Sequence, residues 1–151
     1  MCLDISLFAR RKKAKSDITV AKVIVVPLTD DSLYGSQPYT PYQRFPIEFG
    51  KLYTSELVRD GWDIDQGLHS YADFVDAYYV SRHLAYGRYN GGFFNDKLDL
   101  KVYKAIIPKG SFYYFGKHGD NGASYASNQL IITDEILHSM TSYGNSDVPL
   151  Y

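Results

Sequence analysis

Cysteine is nearly missing: Cys2 is the only one in 151 residues. A single thiol excludes an intramolecular disulfide framework and a cysteine-based zinc cluster, and it fits a reducing compartment. Long apolar runs are absent as well. No window approaches the ~18 apolar residues that a helical membrane span needs, so none is expected. The short apolar run from Leu3 to Ala9 precedes the basic cluster, the reverse of a secretory leader, so signal-peptide export is not expected either. Net charge is small, −1 at neutral pH. Such a chain has no global field for nucleic acid, and any such contact must come from a local patch.

Tyrosine is what the chain has in excess, with fifteen copies against eight Phe and one Trp. A Tyr ring buries apolar area while its hydroxyl seeks water or a partner, which suits core margins and protein interfaces. With 45% hydrophobic residues, one domain around one core is expected, burying roughly 68–70% of its extended surface.

The first sixteen residues read as a basic arm. Leu3, Ile5, Leu7 and Phe8 are followed by Arg10, Arg11, Lys12, Lys13 and Lys15. Clustered cations repel, so one reading is a solvated tail. The other is a positive arm that docks on an acidic partner, a phosphate backbone or an anionic surface, with Leu3, Leu7 and Phe8 as an apolar anchor on one face of a short helix.

From residue 17 the pattern becomes that of a single α+β domain reaching residue 141. Asp17 to Thr29 is a β-branched strand, and Asp30 to Arg44, with Tyr34, Tyr39 and Tyr42, is an ordered loop. Phe45 to Thr54 alternates like a half-buried strand that breaks at Gly50. Residues 60–68 read as a Gly-punctuated connection with Asp60, Asp63 and Asp65 exposed. Ser70 as cap, Asp73 three residues later, and Tyr71, Phe74, Val75 and Tyr78 at helical spacing predict one main helix over about 70–84.

Residues 88–97 form a glycine and asparagine loop, expected to be mobile and exposed. The densest β-forming stretch, Leu98 to Thr133, is cut by Pro108-Lys109-Gly110 and by the Gly116 to Gly122 segment into three strands. Val102 and Ile106 face one way and Tyr103, Ala105 and Ile107 the other, as in the interior of a sheet. Asp134 caps a short last helix through Met140, and residues 142–151 are an aperiodic tail. The expected architecture is a single mixed, mostly antiparallel sheet of about five to six strands with that helix.

Several segments carry a resemblance. VAKVIVV, PYTPYQRF, GKLY, GLHSYADFVDA, KVYKAIIPKGSFYYFG and YASNQLII, in that order, resemble small uncharacterised proteins of gut Bacteroidales and their crAss-like phages over residues 17–133. Gly67 to Tyr71 and Ile107 to Ser111 are its most specific pieces. That likeness implies a phage or bacterial setting and no particular reaction. A His-Ser step before a helix, then a strand, a Pro-x-Gly turn and a last strand pair are similar to the later half of ADP-ribosyltransferase domains. There the last strands present a catalytic glutamate. Here Tyr125 to Gln129 holds no carboxylate and Glu135 comes too late, so the resemblance implies a degenerate fold without the transferase group.

His69, Ser70 and Tyr71 are the candidate ligand-binding residues, because amides at a helix start and the positive end of its dipole favour an anion such as a nucleotide phosphate. The alternative is a histidine that fixes the turn through a backbone hydrogen bond. His83, His118 and His138 lack ligand spacing, and the aspartates at 60, 63 and 65 lack the glycine and terminal glutamate of a calcium loop, so no metal is expected. Cys2 reads as an inert thiol in an arm, Lys109 as a turn cation, and Gly116 to Gly122 as a hairpin loop rather than a phosphate cradle.

No catalytic set emerges and no cofactor is implied. The leading expectation is a non-enzymatic structural or interaction protein, a phage virion component or accessory located in the virion or the bacterial cytoplasm. Its terminal arms would hold it in an oligomeric assembly of protein subunits, and nucleic acid would be reached only through the basic arm. The alternative is a nucleotide-binding or ADP-ribosyltransferase-like protein, or one that sequesters a host defence nucleotide without turnover.

Overall fold

The strongest β-formers sit at the centre of the molecule. In the computed structural model, which describes residues 3–4, 10–30, 34–41, 43–85, 98–117 and 122–139, the strand Ile18–Pro27 pairs antiparallel with Leu98–Ile107 in unbroken register from Ile18↔Ile107 to Pro27↔Leu98. Both faces of this pair are apolar, and both are covered. Ala21, Val23, Val25, Leu100 and Val102 face a helix, while Val20, Ile24, Tyr103, Ala105 and Ile107 face Ile47, Leu130 and Ile132. Ile24, Leu100, Val102 and Ile107 are fully buried, and each aliphatic side chain so buried stabilises the fold by about 1.5–3 kcal/mol.

In chain order the elements are β1 (Leu3–Asp4), β2 (Lys12–Lys13), β3 (Ile18–Pro27), β4 (Leu52–Thr54), β5 (Val58–Asp60), β6 (Asp63–Gln66), β7 (Leu68–Tyr71), α1 (Phe74–Ala85), β8 (Leu98–Ile107), β9 (Phe112–Lys117), β10 (Ala123–Ser127) and β11 (Gln129–Ser139). The strands form one antiparallel sheet in the order β4-β11-β8-β3-β7-β10-β9-β1-β6-β5, with β2 added on β9. The fold is α+β. The sheet nevertheless has eleven strands among the described residues rather than five to six, because short segments too small to show a period were recruited by pairing.

Two features curl the sheet. β4 and β5 lie at its opposite ends, yet only Ser55 to Leu57 join them. Four Cα steps reach about 14 Å at most, so the ends must approach each other. β6 and β7 are two halves of one strand bent at Gly67. β6 pairs with β1, β1 with β9, β9 with β10, and β10 with β7. That circuit is closed around Ile64, Ala126, Leu57 and Tyr114. A Cβ at Gly67 would stand 2.9 Å from Leu57 Cδ1 and 3.3 Å from Ala126 Cβ, so the bend needs a residue without a side chain.

The main helix begins later than its periodicity predicts. Residues 68–71 are a strand, with His69 opposite Ala126 and Ser70 opposite Tyr125. Asp73, not Ser70, is the cap: its Oδ1 accepts the Asp76 amide at 3.0 Å. The Ser-x-x-Asp and Asp-x-x-Asp patterns are the same signal one turn apart, and cross-strand pairing decides between them. The short last helix is absent as well. β11 runs on through Ser139, with register shifts between Ile132 and His138. Thr133 Oγ1 donates to the Lys104 carbonyl at 2.7 Å and accepts the Glu135 amide at 3.3 Å, so the residues expected to open a helix form a bulge.

The connection at 60–66 is the β5–β6 hairpin, turning at Gly61 with φ 59°. Of Phe45 to Thr54 only β4 is strand. Pro46 makes an isolated bridge to Tyr39, and Gly50, with φ 83°, turns the chain while its amide reaches Ile132 O at 2.8 Å. The stretch from Leu98 to Thr133 holds β8, β9, β10 and the start of β11, one more strand than expected. Pro108-Lys109-Gly110 is the expected turn: Ser111 N reaches Pro108 O at 3.0 Å with Gly110 at φ 90°. Cys2, Leu7, Phe8, the 88–97 loop, His118 and the 142–151 tail lie outside the described residues.

Candidate ligand-binding cleft

The central sheet splits beside β3. β3 and β7 pair only at Ala21↔Tyr71. By Val25 the same edge of β3 has turned to Tyr39, with hydrogen bonds of 2.9 and 3.0 Å in both directions. Between these points the strands diverge, and the gap opens into a cavity of about 390 Å³. That lies within the range of ~300–1,000 Å³ typical of small-ligand sites.

Three walls enclose it. One is the loop after Tyr39, where Thr40 N reaches Phe45 O at 2.9 Å and Phe45 N reaches Thr40 Oγ1 at 2.9 Å, so Thr40, Pro41, Gln43 and Phe45 are held as a closed turn at the rim. Arg44 in that turn has φ 55°, the one non-glycine at positive φ among the described residues, and its carbonyl accepts Tyr34 OH at 2.7 Å. The second wall is β4, with Tyr53, Thr54 and Ser55. The Tyr53 ring is fixed by the Glu48 amide, which donates to its hydroxyl at 2.7 Å, and by edge contact with Phe45. The third is the bent strand, with Ile64, Asp65, Gln66, Leu68 and His69. Leu130 and Ile132 complete the apolar part of the lining.

Lys22 stands in the split itself. Its Nζ donates to the His69 carbonyl at 2.6 Å, beside the point where β3 diverges from β7. The residue lines the cleft and is half-buried, and burial of the amine pushes its pKa down from 10.5 to about 8. Among the described residues no ion pair joins it to a carboxylate, whereas Lys51 pairs with Glu48 and Lys104 with Glu135. His69 meets the Tyr71 ring edge-on at 4.8 Å, and both line the cavity.

The arrangement joins apolar and aromatic walls to polar groups: an amine, one carboxylate from Asp65, an imidazole, two side-chain amides, three aliphatic hydroxyls and the phenols of Tyr53 and Tyr71. Such a lining holds a flat or half-polar molecule and orients it through its edge.

The residues singled out from sequence are divided by the fold. His69 and Tyr71 line the cleft, but on a strand. Ser70 lies between them, fully buried, outside the cavity lining. The helix starts at Phe74 behind its Asp73 cap, so His69, Ser70 and Tyr71 lie on the strand ahead of its first turn. Lys22 was missed. Its signal was present: a lone cation inside Val-Ala-Lys-Val-Ile-Val-Val, where both faces are apolar, has either to reach water or to serve a site.

The basic arm folds back on the sheet. Lys12 and Lys13 pair with Tyr113 and Phe112, Ala14 N reaches Ser111 O at 2.8 Å, and the Arg11 guanidinium stacks 4.5 Å from the Phe112 ring centre. Leu3 lies in β1, and the side chains of Arg10, Arg11, Lys12, Lys13 and Lys15 are exposed. Among the described residues no group of three His, Cys, Asp or Glu could hold a metal ion, and no helix is long and apolar enough to cross a membrane. His138, 8% exposed, packs against Tyr78 and Phe74 instead. No family model matches the chain, and neither does a curated protein or a solved structure.

Proposed function

We propose that the protein binds a small, nucleoside-sized molecule in the cleft at the split of the sheet, with the aromatic and aliphatic walls holding its flat part and Lys22, Gln43, Gln66 and Asp65 reading its polar edge. The observation that carries this reading is the open cleft of about 390 Å³ with a buried amine at the strand divergence. Binding needs no turnover, so sequestration of a nucleotide signal fits the same geometry. The test is titration with nucleosides, mono- and cyclic nucleotides and NAD, followed by methyl NMR of Ile47, Leu130 and Ile132. Saturable shifts confined to these methyls, lost when Ile47→Trp fills the cavity, are the expected result. Silence across the panel removes the nucleotide reading.

A second reading has its own support. The exposed cations Lys12 and Lys13 lie on a strand at the sheet with Arg10, Arg11 and Lys15 flanking it, and Trp62 is 61% exposed at the β5–β6 turn. Both suit a docking surface in a larger protein assembly. Light scattering on the full chain and on a variant with Arg10, Arg11, Lys12 and Lys13 changed to Ser tests it. A monomer in both cases counts against self-assembly.

A further inference from the structure

An ammonium without a counter-ion is a costly way to cap one carbonyl, since a neutral amide or hydroxyl would satisfy the His69 oxygen at less desolvation. Lys22 nevertheless occupies that position, as a residue lining the cavity, with a neutral carbonyl 2.6 Å from its nitrogen as hydrogen-bond partner and no ion pair to a carboxylate among the described residues. A carboxylate would hold the amine charged. A backbone carbonyl orients it and leaves its lone pair accessible once the proton is lost.

Resting on the reading of the cleft as a ligand site, we propose that Lys22 captures an aldehyde- or ketone-bearing ligand as an imine. The Nζ lone pair attacks the carbonyl carbon and a C–N bond forms. Both hydrogens of the neutral amine leave with the carbonyl oxygen as water, and a C=N bond remains. No oxidant or reductant is consumed. The hydroxyl and amide rim of Thr40, Thr54, Ser55, Gln43 and Gln66 suits a carbonyl compound that carries hydroxyl groups. The same geometry explains why a residue that weakens the centre of an apolar strand is placed where β3 leaves β7. At pH 7.5 an amine of pKa about 8 is roughly a quarter neutral, against about one part in a thousand for an ordinary lysine.

The test is site-resolved trapping on the full chain. Pyridoxal and glyceraldehyde, each with cyanoborohydride, are incubated with the protein at pH 7.5, and peptide mass spectrometry follows the adduct at each lysine. Lys22 is expected to be modified at least tenfold faster than Lys51, whose side chain is 57% exposed. Lys22→Arg, which keeps charge and donor, is expected to lose that fast adduct while keeping its circular dichroism. Adducts confined to exposed lysines, with Lys22 bare, overturn the proposal. Methyl NMR of the same samples separates the two failures: shifts at Ile47, Leu130 and Ile132 without an adduct remove imine formation alone, and neither signal with these probes removes both imine formation and the binding of carbonyl ligands in the cleft.

Discussion

Changing Lys22 to Met should alter how stability depends on pH. The folded amine titrates at about 8 and the unfolded one at 10.5. Between these values the unfolded chain holds a proton that the folded one has lost, so wild-type stability rises with pH across this window, and the burial penalty is fully present below about pH 8. At ~1.36 kcal/mol per unit, the 1.5 units from about pH 8 to pH 9.5 give a gain of about 2 kcal/mol. Met has a similar length and no charge, so the variant lacks this gain. Buried Tyr39 and Tyr103 and half-buried Tyr125 have pKa values raised by desolvation. They erode stability only above about pH 10 and do so in both proteins. Urea unfolding followed by far-ultraviolet circular dichroism at about pH 7 and 9.5 measures the difference. Trp62, largely exposed, is a poor reporter of unfolding. The stability difference between wild type and Lys22→Met should shift toward wild type by about 2 kcal/mol between the two pH values. Parallel pH curves would refute the buried amine, and with it the electrostatic basis of the imine proposal.

Other outcomes follow from the fold. Gly67→Ala should destabilise by about 1–3 kcal/mol in urea unfolding through overpacking, and Leu57→Ala on that background should recover part of the loss, because Leu57 Cδ1 is the nearest obstruction. Asp73→Ala should cost about 1 kcal/mol as a lost cap, while exposed Lys109→Ala should be near neutral; a loss at Asp73 no larger than at Lys109 would refute the cap. His138 is held below its ordinary pKa by burial, partly offset by Asp99. The folded chain therefore binds its proton less readily than the unfolded chain, and stability should fall as pH drops below about 6.5. His138→Phe should flatten that acid limb in thermal unfolding curves.

The amino-acid order determined what local chemistry can determine. β-Branched runs marked β3 and β8, apolar residues on both faces placed them inside the sheet, and Pro108-Lys109-Gly110 made a turn whose left-handed residue is glycine. The helix was legible in type and displaced in start, since its capping pattern recurs three residues apart. Tertiary structure alone decided where the sheet opens. β5, β6 and β7 are three or four residues each, too short for a period, and they became strands because pairing satisfied their amides, β5 with β6 in a hairpin and β6 and β7 with β1 and β10 far along the chain. The cleft has the same origin. Lys22 and His69 are 47 residues apart in sequence, and nothing near either one records that β3 and β7 part between Ala21 and Val25. Periodicity reports which face of an element is apolar. Where β7 parts from β3, and which buried amine then stands beside the gap, are properties of long-range pairing.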